Sequence, residues 1–269
     1  METIKIKDLD LLIFTSFPKE KVFSFSTSVK GGVSTGNYAS FNLSPYSGDD
    51  PDCVNKNQEH FANITGVSVE NLYIPYQTHK DQVQIIDEAF MQKTDLEKAT
   101  LLNGVDAVVT DQKNIYIGIT TADCVPVLIF DPKLNILAAI HAGWKGTVAK
   151  IVQKTVLKMQ EHFNSSPHDL LAGIGPCISK EIFEVGDEVV EAFINAGFSI
   201  EGISCQNTVT GKRHIDLEYA NKLLLMESGI PSENIETANL CTYSNPDKFF
   251  SARRQSIHSG RMLTGGILR

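Results

Sequence analysis

Along this chain, short continuous apolar runs give way to stretches in which apolar residues recur every three or four positions, and the switch of period marks the elements. The continuous runs predict strands over residues 21–28, 72–76, 83–86, 106–109, 115–120, 125–130, 136–140, 170–174 and 235–240. The helical period appears first in DDPDCVNKNQEHFANITG. There, acidic residues precede Pro51, the apolar Val54, Phe61 and Ile64 follow, and Gly66 supplies a stop. It returns in GTVAKIVQKTVLKMQEHF, read as one helix capped by Thr147 with Val148, Ile151, Val152, Thr155, Val156 and Met159 along one side. Further helices are predicted near 187–193 and 216–227. Several strands are apolar throughout, so their sheets must be covered on both faces. Strands come in groups and only some alternate with helices, which predicts an α/β (α+β) sandwich of mixed β-sheets flanked by helices.

Composition narrows this picture. A chain of 269 residues, 42% hydrophobic, can bury a large core, and no linker or repeat divides it, so one domain over 1–269 is expected. A net charge of −8 with scattered Lys and Arg argues against nucleic acid as a partner. The apolar run 9–14 is broken by Asp10 and is too short for a signal core or a membrane span, which predicts a cytoplasmic protein without membrane association. A monomer or weak homo-oligomer is expected. Five cysteines without a CxxC pair point away from a disulfide framework, so any cysteine with a special task must be found by its surroundings.

Those surroundings are most informative at TTADCVPVLIF and HAGWKGT. Cys124 heads one apolar run and His141 ends the next, with DPKLN between them. If DPKLN closes a hairpin through a type I turn over residues 131–134, Pro132 supplies the dihedral angle its second position wants, and paired residue numbers sum to 265. Cys124 and His141 then face each other, at a separation that suits two ligands of one metal or a thiolate and its base. A left-handed Asn135 would add a bulge and leave the pair diagonal. His79 ends another strand-like run, with Gln77 two residues earlier on the same face if the strand continues. Two imidazoles and one thiolate form a set that leaves zinc an open fourth position. A buried apolar cysteine with a core histidine is the plainer alternative.

The stretches KGGVSTGNYASFNL, PYQTHKDQV, GVDAVVTD, TTADCVPVLIFDP, AAIHAGWKGT, GIGPCIS and FFSARRQ followed by SGRM resemble the successive motifs of the YfiH-type laccase-domain family, formerly labelled polyphenol oxidases. The resemblance spans nearly the whole chain. It implies a single-domain sandwich with likeness to the catalytic domain of cytotoxic necrotizing factors, and zinc rather than copper held by His79, Cys124 and His141. It also implies phosphorolysis of adenosine, inosine and methylthioadenosine, deamination of adenosine, and, for one branch, peptidoglycan quality control. The partners so implied are purine nucleosides and phosphate. Lys30 and Lys145 stand where the family usually has arginine, and QSIHSGRM is longer than the usual pattern.

The chemistry assigns roles to be tested. Deamination needs a hydroxide at neutral pH, which zinc supplies by lowering the pKa of water, and a proton for the departing amine, for which Asp123 is available. Phosphorolysis needs cations beside the phosphate, and Arg253, Arg254 and Arg261 are the candidates. Asn42 and Gln77 are candidate substrate contacts. Gly31, Gly32 and Gly36 could bring backbone amides to an anion, and Trp144 could pack or shield the site. Three other readings stand beside this one: a metal-free cysteine hydrolase or amidase using Cys124 and His141, a copper-dependent phenol oxidase, and a nucleoside- or metal-binding protein without turnover.

Overall fold

The computed structural model describes residues 1–269. Two six-stranded sheets stack face to face. The first runs in the order β1 (Glu2–Ile6), β2 (Leu9–Ile13), β3 (Val22–Thr27), β15 (Met262–Leu268), β7 (Tyr116–Thr121), β4 (Leu72–Tyr73). The second runs β14 (Ile235–Thr237), β10 (Leu171–Ile174), β8 (Val125–Asp131), β9 (Ile136–Ala142), β6 (Ala107–Thr110), β5 (Val83–Ile86). A small third sheet joins β11 (Glu184–Val185), β13 (Arg213–Ile215) and β12 (Ser204–Gln206). Both large sheets mix parallel and antiparallel pairs, which agrees with the mixed α/β expectation.

The continuous apolar runs are explained by four layers. Alternate residues of β8 and β9 go to opposite cores: Val127, Ile129, Ala138 and Ile140 pack toward the helices Ile151–Phe163 and Leu217–Glu227, while Leu128, Phe130, Leu137 and Ala139 meet Ile117 and Ile119 of the other sheet. Every residue of β8 and β9 is buried. The outer face of the first sheet is covered by the helix Pro51–Thr65 through Phe61, which packs with Phe25 and Tyr116. That helix starts and stops where its punctuation said, with Asp50 accepting from the Asp52 amide and Gly66 left-handed at φ 82°. No helix is long and apolar enough to cross a membrane.

Two readings of the pattern need correction. The helix expected to begin at Thr147 is two helices, Trp144–Val148 and Ile151–Phe163, broken by a left-handed Lys150. Thr147 is no cap; its hydroxyl donates back to the Gly143 carbonyl at 3.0 Å. Strands β1, β2 and β15 do not show as predicted runs. Charged residues interrupt the first hairpin, which lies at the sheet edge, and Gly265 and Gly266 make β15 read as a turn.

The hairpin register also shifts. Asp131 pairs with Ile136, not Leu134, because Asn135 adopts φ 60° and lengthens the loop. The Asp131 carboxylate accepts from the amides of Lys133 and Leu134 and stabilises this wider turn. His141 therefore faces Pro126, two positions from Cys124. A shift of two preserves the face, so the pair is diagonal but still on one side of the sheet.

Candidate active site

The chain passes from one sheet to the other over residues 122–124, between β7 and β8. Asp123 takes φ 92° at this crossing, and Cys124 follows at the head of β8. His141 lies near the end of β9 and is buried, Cys124 is half-buried, and His79 is exposed on the connection from β4 to β5. The donor atoms of all three lie within 4.8 Å of one another. The imidazole rings of His79 and His141 meet edge-on, with centroids 4.7 Å apart.

A residue outside the predicted site holds this arrangement. Asp106, fully buried just ahead of β6, accepts from His141 Nδ1 at 2.7 Å and from the backbone amides of Thr78, His79 and Lys80 at 3.1, 2.9 and 2.8 Å. One carboxylate thus fixes the tautomer of His141, leaving Nε2 for the cluster, and folds the loop that presents His79. The only sign in the sequence was a carboxylate at the head of an apolar run in GVDAVVTD. Gly143 is the second supporting residue. A Cβ there would stand 3.0 Å from Cys124 Sγ and 3.1 Å from His79 Cδ2, so the ligand side chains occupy the space a larger residue would need.

Burial opposes ionisation of the Cys124 thiol, but His141 and then His79 outweigh it and bring the thiol down to about 6. Burial likewise opposes the charged form of His141, and the facing thiolate with Asp106 lifts it to about 9. The arrangement therefore favours a thiolate at neutral pH. Two imidazoles and a thiolate are a donor set that suits a borderline-soft ion such as zinc, so the residues present fit the metal the sequence reading expected.

The cluster forms the floor of a cavity of about 730 Å³, a size suited to a small organic ligand. Aromatic surface from Tyr46, Trp144 and Phe183 lines it, together with the guanidinium-bearing Arg253 and Arg261. Arg253 lies over the Phe183 ring at 5.6 Å, and Arg261 is held by the carbonyls of Ile257, Ser259 and Gly260. Burial draws Arg261 below the usual guanidinium range. The Thr121 hydroxyl is buried, lines the same cavity and has no protein hydrogen-bond partner. The extended segment QSIHSGRM contributes Ile257, 72% exposed, to the wall.

Several residues picked from the sequence sit elsewhere. Asn42 is fully buried behind the wall, donating to Ser47 and Asp49 and accepting from the amides of Ser44 and Arg261. It braces the loop instead of facing the cavity. Arg254 is likewise occupied, clamping the carbonyls of Thr242, Tyr243 and Phe249. Gln77 does line the cavity, but its amide clips onto Thr120 through both the carbonyl and the amide of that residue. The Asp123 carboxylate accepts from Thr242, Ser251 and the Arg253 amide, so its oxygens organise the wall. Gly32 has no room for a side chain, since a Cβ would fall 2.2 Å from the Ser40 carbonyl oxygen; this is close backbone packing, not an anion cradle. Lys30 pairs with Asp10 at 3.6 Å and Lys145 lies over Trp144 at 5.5 Å. Trp144 both packs on the core and lines the cavity.

Comparison with known proteins bears on the family and the fold. Residues 23–269 match the family described as multi-copper polyphenol oxidoreductase laccase. A protein of Bacteroides thetaiotaomicron named purine nucleoside phosphorylase is 45% identical over 96% of each chain. A protein of an unknown prokaryote named adenosine deaminase RL5 is 42% identical over 91% of this chain and 94% of its own. The crystal structure of YlmD from Geobacillus stearothermophilus superposes with a TM-score of 0.89 at 28% identity, covering 99% of this chain and 98% of that one. With sequence, fold and extent of match in agreement, the chain belongs to the YfiH-type laccase-domain family.

Proposed function

We propose that this protein is a zinc-dependent purine nucleoside enzyme that phosphorolyses adenosine, inosine and methylthioadenosine and deaminates adenosine. The observation that carries this reading is a three-donor cluster on the floor of an aromatic-walled cavity that also presents two arginines. The names of the relatives, purine nucleoside phosphorylase and adenosine deaminase, support the same substrate class. His79, Cys124 and His141 would hold the metal, which supplies Lewis acidity toward an oxygen of substrate, phosphate or water. Asp106 keeps His141 in the tautomer that such ligation requires.

For phosphorolysis, Arg253 and Arg261 offer the positive charge that positions a phosphate dianion beside the ribose, where charge builds as the glycosidic bond breaks. A phosphate oxygen bonds to the anomeric carbon of the ribose as the electron pair of the glycosidic bond leaves with the purine, which takes up the proton given up by the hydrogen phosphate. Tyr46, Trp144 and Phe183 supply flat apolar surface for the base. The Thr121 hydroxyl is placed to satisfy a polar group of the ligand. Asp123, holding Thr242, Ser251 and the Arg253 amide, serves as a positioning residue.

A second reading rests on the same cluster. A thiolate beside an imidazole that is itself held by a carboxylate is the arrangement of a cysteine nucleophile, as in a hydrolase or amidase. Multi-copper phenol oxidation fits less well, because His60, His162 and His214 are engaged with Asp8, Asp87 and the Lys180 carbonyl away from the cluster. Purified protein is expected to carry about one zinc per chain and to convert inosine plus phosphate to hypoxanthine and ribose phosphate. Cys124→Ala should abolish both metal binding and turnover. Zinc retained in Cys124→Ala with turnover lost would favour the nucleophile, and base release independent of phosphate would refute phosphorolysis.

A further inference from the structure

A second cluster of reactive side chains lies outside the cavity just described. Cys177 and Cys241 are brought opposite each other by an isolated parallel bridge, in which the Cys177 amide donates to the Leu240 carbonyl at 3.2 Å and the Thr242 amide donates to the Cys177 carbonyl at 2.9 Å. Neighbouring strands run about 4.8 Å apart, so the Cα separation of such a pair falls within the range a disulfide spans. Both residues line a separate cleft of about 420 Å³ that also takes in Asp216 and Glu218. Both cysteines are free thiols here, Cys177 buried and Cys241 half-buried.

Their environments are unequal. Cys241 Sγ accepts from the Ser179 amide at 3.4 Å, and although burial opposes it, this contact with those of Ser179 and Ser244 side chains keeps the thiol below its ordinary value. Cys177 is pushed well up, first by burial and then by the Glu218 and Asp216 carboxylates, and its thiol donates to Glu218 Oε2 at 3.9 Å. Burial and Asp216 raise Glu218 itself to about 7, which suits a group that takes a proton near neutrality. One cysteine is half-buried with its thiol held below the ordinary value; the other is a buried thiol with a carboxylate at hand.

We propose that Cys241 and Cys177 form a peroxide-responsive dithiol site, with Cys241 as the attacking and Cys177 as the resolving cysteine. The Cys241 thiolate attacks one oxygen of hydrogen peroxide, the O–O bond breaks, and Cys241 becomes a sulfenic acid as hydroxide leaves and is protonated to water. Cys177 gives its proton to Glu218, and its sulfur attacks Cys241 Sγ. The S–O bond breaks, and the departing hydroxide takes that proton to leave as a second water. Two thiols are oxidised to one disulfide while one peroxide is reduced to two waters. The site joins segments one residue from Ile178, which lines the large cavity, and from Thr242, which holds Asp123.

The test treats the reduced full chain with hydrogen peroxide at neutral pH, blocks remaining thiols and maps tryptic peptides by mass spectrometry. A cross-link between the peptides 159–180 and 223–248, two hydrogens lighter than their sum, is the expected product. Cys177→Ser should leave Cys241 as a sulfenic acid that dimedone traps, Cys241→Ser should leave Cys177 fully alkylatable after denaturation, and Glu218→Gln should slow disulfide closure several-fold without slowing sulfenic acid formation. Oxidation confined to Cys124, or cross-linking of Cys177 to some other cysteine, would overturn the proposal. So would equal oxidation of Cys177 in Cys241→Ser.

Discussion

Cys124 and Cys177 occupy comparable positions, each at a crossing between segments, each lining a cavity, and each with a titratable neighbour in hydrogen-bond reach. Burial pushes both thiols upward, yet Cys124 ends at about 6 and Cys177 well above an ordinary thiol. The difference is the sign of the neighbours. Imidazoles face the first, and the carboxylates of Glu218 and Asp216 face the second. Desolvation alone does not decide a cysteine's chemistry in this fold; the side chains contributed by other elements do.

The largest test of that contrast is direct. In metal-stripped protein at pH 7, iodoacetamide should alkylate Cys124 at least about 100-fold faster than Cys177, as expected from the thiolate fractions. A lowered thiol is ionised above its pKa, so the Cys124 rate should persist at neutral pH and fall as pH drops through about 6. Equal rates at the two cysteines would break the comparison. His141→Ala should sharpen it by moving the Cys124 midpoint upward toward that of an ordinary thiol.

A smaller effect is expected at the support of the cluster. Asp106→Asn should weaken metal retention against a chelator by roughly 10- to 100-fold, the range for an outer carboxylate of a metal-ligating histidine. The variant's one oxygen can still accept from the amides of Thr78 and Lys80, which share Oδ2, but its NH2 group then faces the His79 amide and His141 Nδ1–H, which share Oδ1, and the charge that holds the imidazole is lost. Unchanged retention would mean that the backbone alone positions the imidazoles. Gly143→Ala should follow with a several-fold loss, because its Cβ intrudes on Cys124 and His79; metal content measured beside thermal unfolding separates a displaced ligand from a misfolded loop. Cys177→Ala should be the mildest, with nucleoside turnover unchanged and stability lowered by about 1 kcal/mol, as read from denaturant unfolding.

Much of this was legible in the chain itself. The apolar runs located β8, β9 and the other central strands because those strands are buried on both faces, and the helix 51–65 was bounded by its own Pro51 and Gly66. The edge hairpin and β15 escaped, since an edge strand tolerates charge and β15 carries a glycine pair. At the site, the types and local spacing of Cys124 and His141 were readable, whereas their register was not, because it turned on the conformation of Asn135.

The amino-acid sequence by itself determined which segments must be buried, where several helices begin and end, and which side chains are chemically able to hold a metal or activate a thiol. Those are properties of neighbouring residues in one segment. The family motifs implied that His79 joins Cys124 and His141, but only the tertiary structure decided that their donor atoms converge, that Asp106 holds two of the three, that Asn42 and Arg254 face away, and that Cys177 meets Cys241. Each of these depends on contacts between segments far apart in the chain, whose distances are set by how two sheets stack and by which loops cross between them.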